Sequence, residues 1–233
     1  MVDEIKKRLR KLGNKQRAEV SRRYFKTGPG EYGEGDIFLG IRVPELRKLA
    51  KTYPHLTLPD TTKFLQSAIH EERLLALLIL IRIFSAGDES IKKEVFDLYL
   101  NHTRYINNWD LVDASAPHIV GAYLVHKSKN VLYRLAVSEN LWERRIAIMS
   151  TFKFIRQDEF SETLQIAKIL IADREDLIHK AVGWMLREVG KRNVQIEEQF
   201  LKLHYKNMPR TMLRYAIEKF PQTRRRRYLT GKI

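Results

Sequence analysis

Glu72-Arg73-Leu74-Leu75-Ala76 opens a strongly apolar stretch, and segments of the same kind recur along the chain. They are Arg144-Arg145-Ile146-Ala147-Ile148, His179-Lys180-Ala181-Val182-Gly183 and Leu213-Arg214-Tyr215-Ala216-Ile217. A basic or aromatic residue therefore recurs every 34–36 residues, at Arg73, Trp109, Arg145, Lys180 and Arg214. This period is typical of an α-solenoid, in which each helix pair buries its apolar face against its neighbours. An aperiodic helical bundle with evenly spaced helices is the alternative.

Helix-starting and helix-ending residues separate the apolar segments throughout the chain. Pro44, Pro59 and Pro209 each fall in a first helical turn, where the missing N–H costs nothing. No segment alternates strictly between apolar and polar residues, so we expect no sheet. We predict one all-α domain over residues 1–233, with residues 223–233 as a basic tail. The predicted helices span residues 2–12, 15–26, 43–53, 59–69, 70–86, 88–103, 108–125, 129–138, 141–156, 159–173, 175–190, 193–206 and 209–220.

Composition narrows the classes of function. The 233 residues carry a net charge of +15, which favours a nucleic-acid partner over a merely solvated basic surface. The longest apolar run, Leu74 to Ile81, is far shorter than the ~20 residues that span a bilayer, and the N-terminus lacks a secretion signal. We therefore expect a cytoplasmic protein with no membrane partner.

Several chemistries find no support in the residues. The absence of cysteine excludes disulfides, Cys-ligated metal sites and thiol nucleophiles. The histidines form no i,i+4 pair, so we expect neither a metal nor a cofactor. Glycines 28, 30 and 33 formally match the dinucleotide-binding fingerprint, but a basic helix precedes them where the fingerprint needs a strand. We interpret residues 28–36 as a flexible connector.

The remaining candidates for function cluster in Asn107-Asn108-Trp109-Asp110-Leu111-Val112-Asp113. On a helix, Trp109 and Asp113 share one face. The repeat places Trp109 in phase with Arg73, Arg145 and Lys180, and Trp184 lies four residues beyond Lys180. A core role for tryptophan, a capping role for aspartate and solvated arginines are the ordinary alternatives. The shared phase favours a single functional face.

Five segments carry a family resemblance. They are Phe38-Leu39-Gly40-Ile41-Arg42-Val43-Pro44-Glu45, Tyr105 to Asp113, Leu141-Trp142-Glu143-Arg144-Arg145-Ile146-Ala147-Ile148, His179 to Glu188 and Leu213 to Ile217. In these segments the chain resembles the AlkD-type DNA alkylation repair glycosylases, and the resemblance runs over nearly the whole chain. It implies a right-handed α-solenoid of HEAT-like helix pairs. It also implies removal of cationic N3- and N7-alkylated purines, such as 3-methyladenine and 7-methylguanine, from duplex DNA.

The resemblance also implies roles for individual residues. It maps the catalytic carboxylate onto Asp113, the two lesion-site tryptophans onto Trp109 and Trp184, and a DNA-contacting arginine onto Arg145. Tyr24 matches the N-terminal site aromatic, although the glycine-rich loop after it is longer than in the family. Some branches lack the carboxylate and the tryptophans and bind without cutting, whereas this chain keeps them.

Residues at the repeat positions complete the predicted DNA surface. We expect further DNA contacts from Lys180, Arg73 and Arg214, and double-stranded DNA containing alkylated purines as the partner of a monomer. An alkylated purine already carries a positive charge, so one carboxylate could serve where ordinary glycosidases use two. Two alternatives stay open: a catalytically silent solenoid that binds nucleic acid, and a scaffold that binds proteins.

Overall fold

The computed structural model describes all 233 residues, Met1 to Ile233, and its regular structure is helical. The only β interaction is a single parallel bridge between Ile37 and Ile69. The all-α class predicted from the sequence is therefore confirmed. The helices are α1 (Val2–Leu12), α2 (Lys15–Tyr24), α3 (Val43–Thr52), α4 (Leu58–Leu65), α5 (His70–Ala86), α6 (Glu89–Asn101), α7 (Trp109–Ser115), α8 (Ala122–Leu124), α9 (Asn130–Ala136), α10 (Leu141–Ser150), α11 (Phe152–Ile155), α12 (Ser161–Leu170), α13 (Asp176–Arg192), α14 (Val194–His204), α15 (Arg210–Ala216) and α16 (Gln222–Leu229).

Local signals in the sequence set many of these ends. The side chains of Asn14, Asp88 and Asn193 each accept a hydrogen bond from the backbone N–H three residues later, at 2.9, 2.9 and 3.1 Å. Such caps satisfy N–H groups that the first helical turn leaves without partners. The predicted bounds of α1 and α5 agree with the observed ones because charged residues or glycine mark the ends of both helices.

The chain forms two compact units, Met1–Ser115 and Ala116–Ile233. In the first unit, α5 is the central element and packs against α3, α4, α6 and α7. Its residues from His70 to Leu80 are all buried, so this part of the helix is covered on every side. Helices of this kind occupy the interior of a fold rather than its surface.

In the second unit, α13 is the central element and packs against α10, α12, α14 and α15. The contact with α15 is close because the residue of α13 that faces α15 is Gly183, which has no side chain. A Cβ atom at Gly183 would stand 2.4 Å from the carbonyl oxygen of Met212 and 2.5 Å from the Cβ of Tyr215. Each unit is thus a succession of packed helices of the α-solenoid class that the repeat predicts. No helix of the protein combines the length and apolar character needed to cross a membrane.

Besides a break between α10 and α11 within the helix predicted over residues 141–156, two parts of the predicted helix pattern were wrong. The helix predicted over residues 108–125 is interrupted after α7, and a π-helical segment spans Pro117–Gly121. Proline has no N–H to donate to the preceding turn, which explains the interruption. The second difference is α16, because residues predicted as a tail form a helix that contains the basic run Arg224 to Arg227. The mostly polar residues of α16 form no apolar pattern from which the helix could be predicted. Its buried residue is Tyr228.

Candidate functional site

Trp109 begins α7 within a group of aromatic side chains. The ring of Phe25 stacks on Trp109 with centroids 5.2 Å apart and planes inclined by 23°. Tyr24 meets Trp109 edge to face at 5.8 Å and is itself 64% exposed. Trp109 is half-buried, so its ring is supported from one direction by protein and remains accessible in part. The first unit therefore presents two neighbouring aromatic rings, Tyr24 and Trp109, to solvent.

Asp113 lies one turn after Trp109 on the same helix and is half-buried. Beneath this turn, the hydroxyl of Tyr99 shares a 2.9 Å hydrogen bond with Ser115. Burial, together with the negative charge of Asp113, raises the pKa of Tyr99 well above its ordinary value. Tyr99 therefore stays neutral and takes part in this turn only through its hydrogen bond with Ser115.

A chain of buried charges holds the first turn of α7. His70 donates from Nε2 to Asp110 Oδ2 at 2.8 Å and from Nδ1 to Asp36 Oδ2 at 3.0 Å. Asp36 also accepts from Nη2 of Arg73 at 2.6 Å. The order Arg73, Asp36, His70, Asp110 alternates positive and negative groups, so each charge has an oppositely charged neighbour. Pairing of this kind is what makes buried charges tolerable.

The pKa values in this chain of charges are displaced accordingly. Burial opposes the charged imidazolium, but hydrogen bonds with Asp110 and Asp36 outweigh that effect and raise the pKa of His70 to about 9. Burial also opposes ionisation of Asp36. The hydrogen bond from His70 and the charge of Arg73 nevertheless hold the pKa of that carboxyl below its ordinary value. At neutral pH His70 is therefore a cation between two carboxylates.

The geometry does not support the predicted DNA contact of Arg73. Its side chain is 3% exposed, and Nη1 donates to the carbonyl of Ser67 while Nη2 holds Asp36. The guanidinium is thus occupied within the protein, and a phosphate would have to displace these bonds. We assign Arg73 to the support of the segment before α5 and do not propose it as a DNA contact.

Trp184 is the aromatic candidate in the second unit. It lies on α13, is half-buried, and donates from Nε1 to Glu188 Oε1 at 3.0 Å. The same carboxylate oxygen accepts from Lys191 at 2.7 Å. Phe152 contacts the indole with centroids 6.2 Å apart. The polar edge of Trp184 is therefore fixed by its own helix, which leaves the ring faces for packing.

The basic candidates of the second unit differ in accessibility. Arg145 is only 4% exposed and donates to the carbonyl of Leu177. Lys180 is half-buried and forms a 2.6 Å ion pair with Asp176, whereas Arg214 on α15 is exposed. Of the three, Arg214 has the geometry most suited to a phosphate contact. The burial of Arg145 fits a supporting role better than the predicted contact with DNA.

A contact shared by several repeats shows that the repeat phase is offset by one residue between Arg73 and the second unit. Arg73 donates to the carbonyl six residues earlier at 2.9 Å, and Arg144 does the same to Ser138 at 2.9 Å. His179 forms the corresponding 2.6 Å bond with Asp173. The structural equivalents of Arg73 are therefore Arg144 and His179, so Arg145 and Lys180 lie one position further along. Local sequence similarity could not resolve this shift because two cations stand next to each other at residues 144 and 145.

Three residues of the site were missed from the sequence. Phe25, Asp36 and His70 contact the first turn of α7 directly or through one another. The sequence held a signal for Asp36, since an acidic residue at the end of a glycine-rich loop indicates a turn with a functional or structural role. None existed for His70, because a lone histidine at a helix start has no partner that sequence can identify.

Comparison with known proteins shows the family of this chain. A sequence profile described as DNA alkylation repair enzyme matches residues 5–220. The chain belongs to this family of DNA alkylation repair enzymes. Membership assigns the protein to the repair of alkylated DNA. A search of curated proteins gave no significant match.

Solved structures share the fold of this DNA alkylation repair protein. A predicted DNA alkylation repair enzyme from Enterococcus faecalis superposes with a TM-score of 0.69 at 19% identity, covering 91% of this chain and 98% of that one. The protein smu.31 from Streptococcus mutans UA159 gives 0.52 at 18% identity, covering 94% and 98%. At these identities the likeness concerns the fold alone.

Proposed function

We propose that this DNA alkylation repair protein is a monofunctional DNA glycosylase acting on cationic N3- and N7-alkylated purines in duplex DNA. The observation that carries the proposal is the first part of α7, where the half-buried carboxylate of Asp113 lies one turn from the accessible ring of Trp109. An anionic group next to an aromatic face suits a sugar that becomes cationic as its base departs.

The chemistry requires little from the protein because the substrate supplies the driving force. The bond between C1′ and the purine nitrogen breaks, and the base leaves with the bonding electron pair as a neutral molecule. Asp113 would stabilise the oxocarbenium-like sugar and orient the water that adds to C1′, with the water's proton passing to the carboxylate and then to solvent. No general acid is needed to protonate the leaving group.

The aromatic residues would stabilise the same developing charge. Trp109 would present a π face to the sugar and backbone at the lesion, a contact that contributes on the order of 0.5–2 kcal/mol. The family resemblance gives Trp184 the same role. Tyr24 extends the accessible aromatic surface beside Trp109. Arg214 and Lys180 would contact phosphates, which position the duplex without reading its sequence. The proposal includes neither metal nor cofactor.

Base excision by matched aspartate variants tests the proposal. Wild type and Asp113→Asn are given methylated duplex DNA under single-turnover conditions, and released 3-methyladenine is measured. We expect Asp113→Asn to lower the rate on the order of 100-fold or more because the negative charge at the sugar is lost. Asp97→Asn removes an exposed carboxylate that pairs only with Lys93 in α6 and should leave the rate unchanged. Equal rates for Asp113→Asn and wild type would refute the role of Asp113.

The net charge of +15 also suits a second candidate, a protein that binds DNA without cutting it. Trp109→Ala distinguishes the two. In the glycosylase it lowers the excision rate more than the affinity for DNA. In a silent binder it changes affinity while no base is released by any variant. A protein scaffold, the third reading, would bind its partner equally well in the presence of competitor DNA.

A further inference from the structure

The glycine-rich loop, here residues 25–36, lies close to the start of α7. Phe25 stacks on Trp109. The backbone at Gly33 passes near Asn108, since an added Cβ there would lie 3.5 Å from Nδ2 of Asn108. Asp36 reaches Asp110 through His70, which bonds both carboxylates. The loop thus holds the turn that carries Trp109 and leads directly into Asp113.

The loop has a defined shape rather than that of the predicted flexible connector. Its own carboxylates cap it, since Glu31 accepts from the N–H of Gly28 at 2.8 Å and Glu34 from that of Gly30 at 2.8 Å. The N–H of Gly33 donates to the carbonyl of Lys26 at 3.0 Å, which closes the loop upon itself. These bonds place Phe25 and Asp36, at the two ends of the loop, against the same helical turn.

Gly33 is required by this close approach. A Cβ atom there would stand 2.4 Å from the carbonyl oxygen of Phe25 and 3.0 Å from that of Lys26, both of which are backbone atoms. Any side chain at residue 33 must therefore push the ends of the loop apart. Displacement of Phe25 would remove the support of the Trp109 ring.

Charge completes the connection between the loop and α7. The groups that face the His70 ring are Asp36 from the loop, Asp110 from α7 and Arg73 from its own helix. The rings of Phe25 and Phe38 lie against the imidazole at 5.1 and 4.5 Å. Asp36 pairs with Arg73, and the imidazolium of His70 is the cation that pairs with Asp110.

We propose that the glycine-rich loop and His70 form a clamp that positions the first turn of α7, so that Trp109 and Asp113 meet the lesion in reactive geometry. The inference rests on the proposed glycosylase function. His70 and Asp36 are positioning residues in this clamp, because they act through Asp110 and touch no substrate. Loss of the His70 proton leaves Asp110 with a weaker, neutral partner and loosens the turn.

Single-turnover excision tests the clamp through a double-mutant cycle. His70→Gln and Asp110→Asn should each slow excision on the order of 10- to 100-fold, the effect of a misplaced reacting group, with less than about twofold change in DNA affinity. If both act through one hydrogen bond, the double variant should be no slower than the slower single variant. His102→Gln alters a histidine of the same unit that bonds only its own helix at Leu98, and it serves as the control.

The pH dependence of the excision rate distinguishes the clamp from a purely structural role of His70. His70 titrates with a pKa of about 9, so the wild-type excision rate should fall as pH rises through that value. Asp110→Asn removes the negative charge of one partner of His70 at a partly exposed site. We expect this variant to excise bases slowly at all pH values, with a weaker fall of the rate at alkaline pH. An unchanged decline in both variants, or additive effects in the double variant, would overturn the clamp.

A spectroscopic measurement separates failure of the clamp from failure of the glycosylase proposal. With Trp142→Phe and Trp184→Phe, Trp109 is the only fluorophore of its kind. Its emission should shift to the red between about pH 8 and about pH 10, as His70 loses its proton, and the shift should be absent after His70→Gln. If the emission of Trp109 changes with pH in the same way before and after His70→Gln, the clamp is refuted, whether or not the protein releases bases. Lack of base release by wild type, with this shift present, refutes only the glycosylase.

Discussion

Asp110 and Asp113 lie on the same short helix yet have different surroundings. Asp110 bonds a buried cation, His70, and its second oxygen, Oδ1, is buried without a partner. Asp113 is half-buried, and its negative charge acts on the buried hydroxyl of Tyr99. A carboxylate already tied to an imidazolium is a poor stabiliser of new positive charge, because its own charge is largely compensated. Asp110 is therefore a candidate for positioning α7 rather than for the chemistry.

Another carboxyl group, Glu197 on α14, links stability to pH. It is 2% exposed, and an added Cβ at Gly190 would overlap its carboxylate. Burial, together with the charge of Glu198, raises the pKa of Glu197 from 4.5 to about 8. The folded protein thus keeps the proton that the unfolded chain releases above pH 4.5, so the free energy of unfolding falls as pH rises toward 8.

Glu197→Gln should remove this dependence, because glutamine is a neutral group of similar shape. We expect the variant to match wild type near about pH 4 and to be more stable at about pH 9, by at most about 5 kcal/mol. Urea unfolding at both pH values measures the difference. Glu159→Gln changes an exposed carboxylate of the same unit and should not show this gain. A wild-type-like pH dependence for Glu197→Gln would contradict the assignment.

At the scale of elements, the contact between α13 and α15 depends on a glycine inside a helix. Alanine is normally the better helix former by about 1 kcal/mol. At Gly183, however, its methyl group would meet backbone at 2.4 Å, so the two helices must separate. We predict that Gly183→Ala lowers the free energy of unfolding by about 1–3 kcal/mol, the range for overpacking. Thermal unfolding measures this, and Leu203→Ala at an exposed site of α14 is the control. A stability gain for Gly183→Ala would contradict the packing described.

Sequence reasoning succeeded where local and global signals agreed. The apolar run of α5 and the charged ends of α1 defined the two helices, since each run begins with acidic residues, as the helix dipole favours. It failed at Pro117, where apolar residues on both sides concealed the interruption, and at α16, where a basic run left few apolar residues to reveal the helix.

The candidate site was predictable only in part. Trp109 and Asp113 share a face because helical spacing alone fixes that relation. The clamp was not predictable, since Phe25, Asp36 and His70 are brought to α7 by tertiary packing over long sequence separations. The burial of Arg73 and Arg145 likewise depends on which carbonyl groups lie within reach, which a periodic pattern does not encode.

At the scale of the whole molecule, the net charge of +15 predicts DNA affinity that falls with salt. Arg214→Ala should reduce the slope of log affinity against log salt concentration by about 0.9, the contribution of one phosphate contact. Arg192→Ala is the matched control, because that exposed arginine already pairs with Asp158 at 2.7 Å. Fluorescence anisotropy over a salt series measures both slopes. Equal slopes for Arg214→Ala and wild type would exclude Arg214 from the DNA contact.

The central claim is that this family member cuts the glycosidic bond, and identification of the released product tests it most directly. Wild-type protein is incubated with methylated duplex DNA, and the small molecules and the strands are analysed by chromatography. We expect free 3-methyladenine or 7-methylguanine together with abasic sites in unbroken strands. DNA that is bound by the protein while every alkylated base remains attached would contradict it.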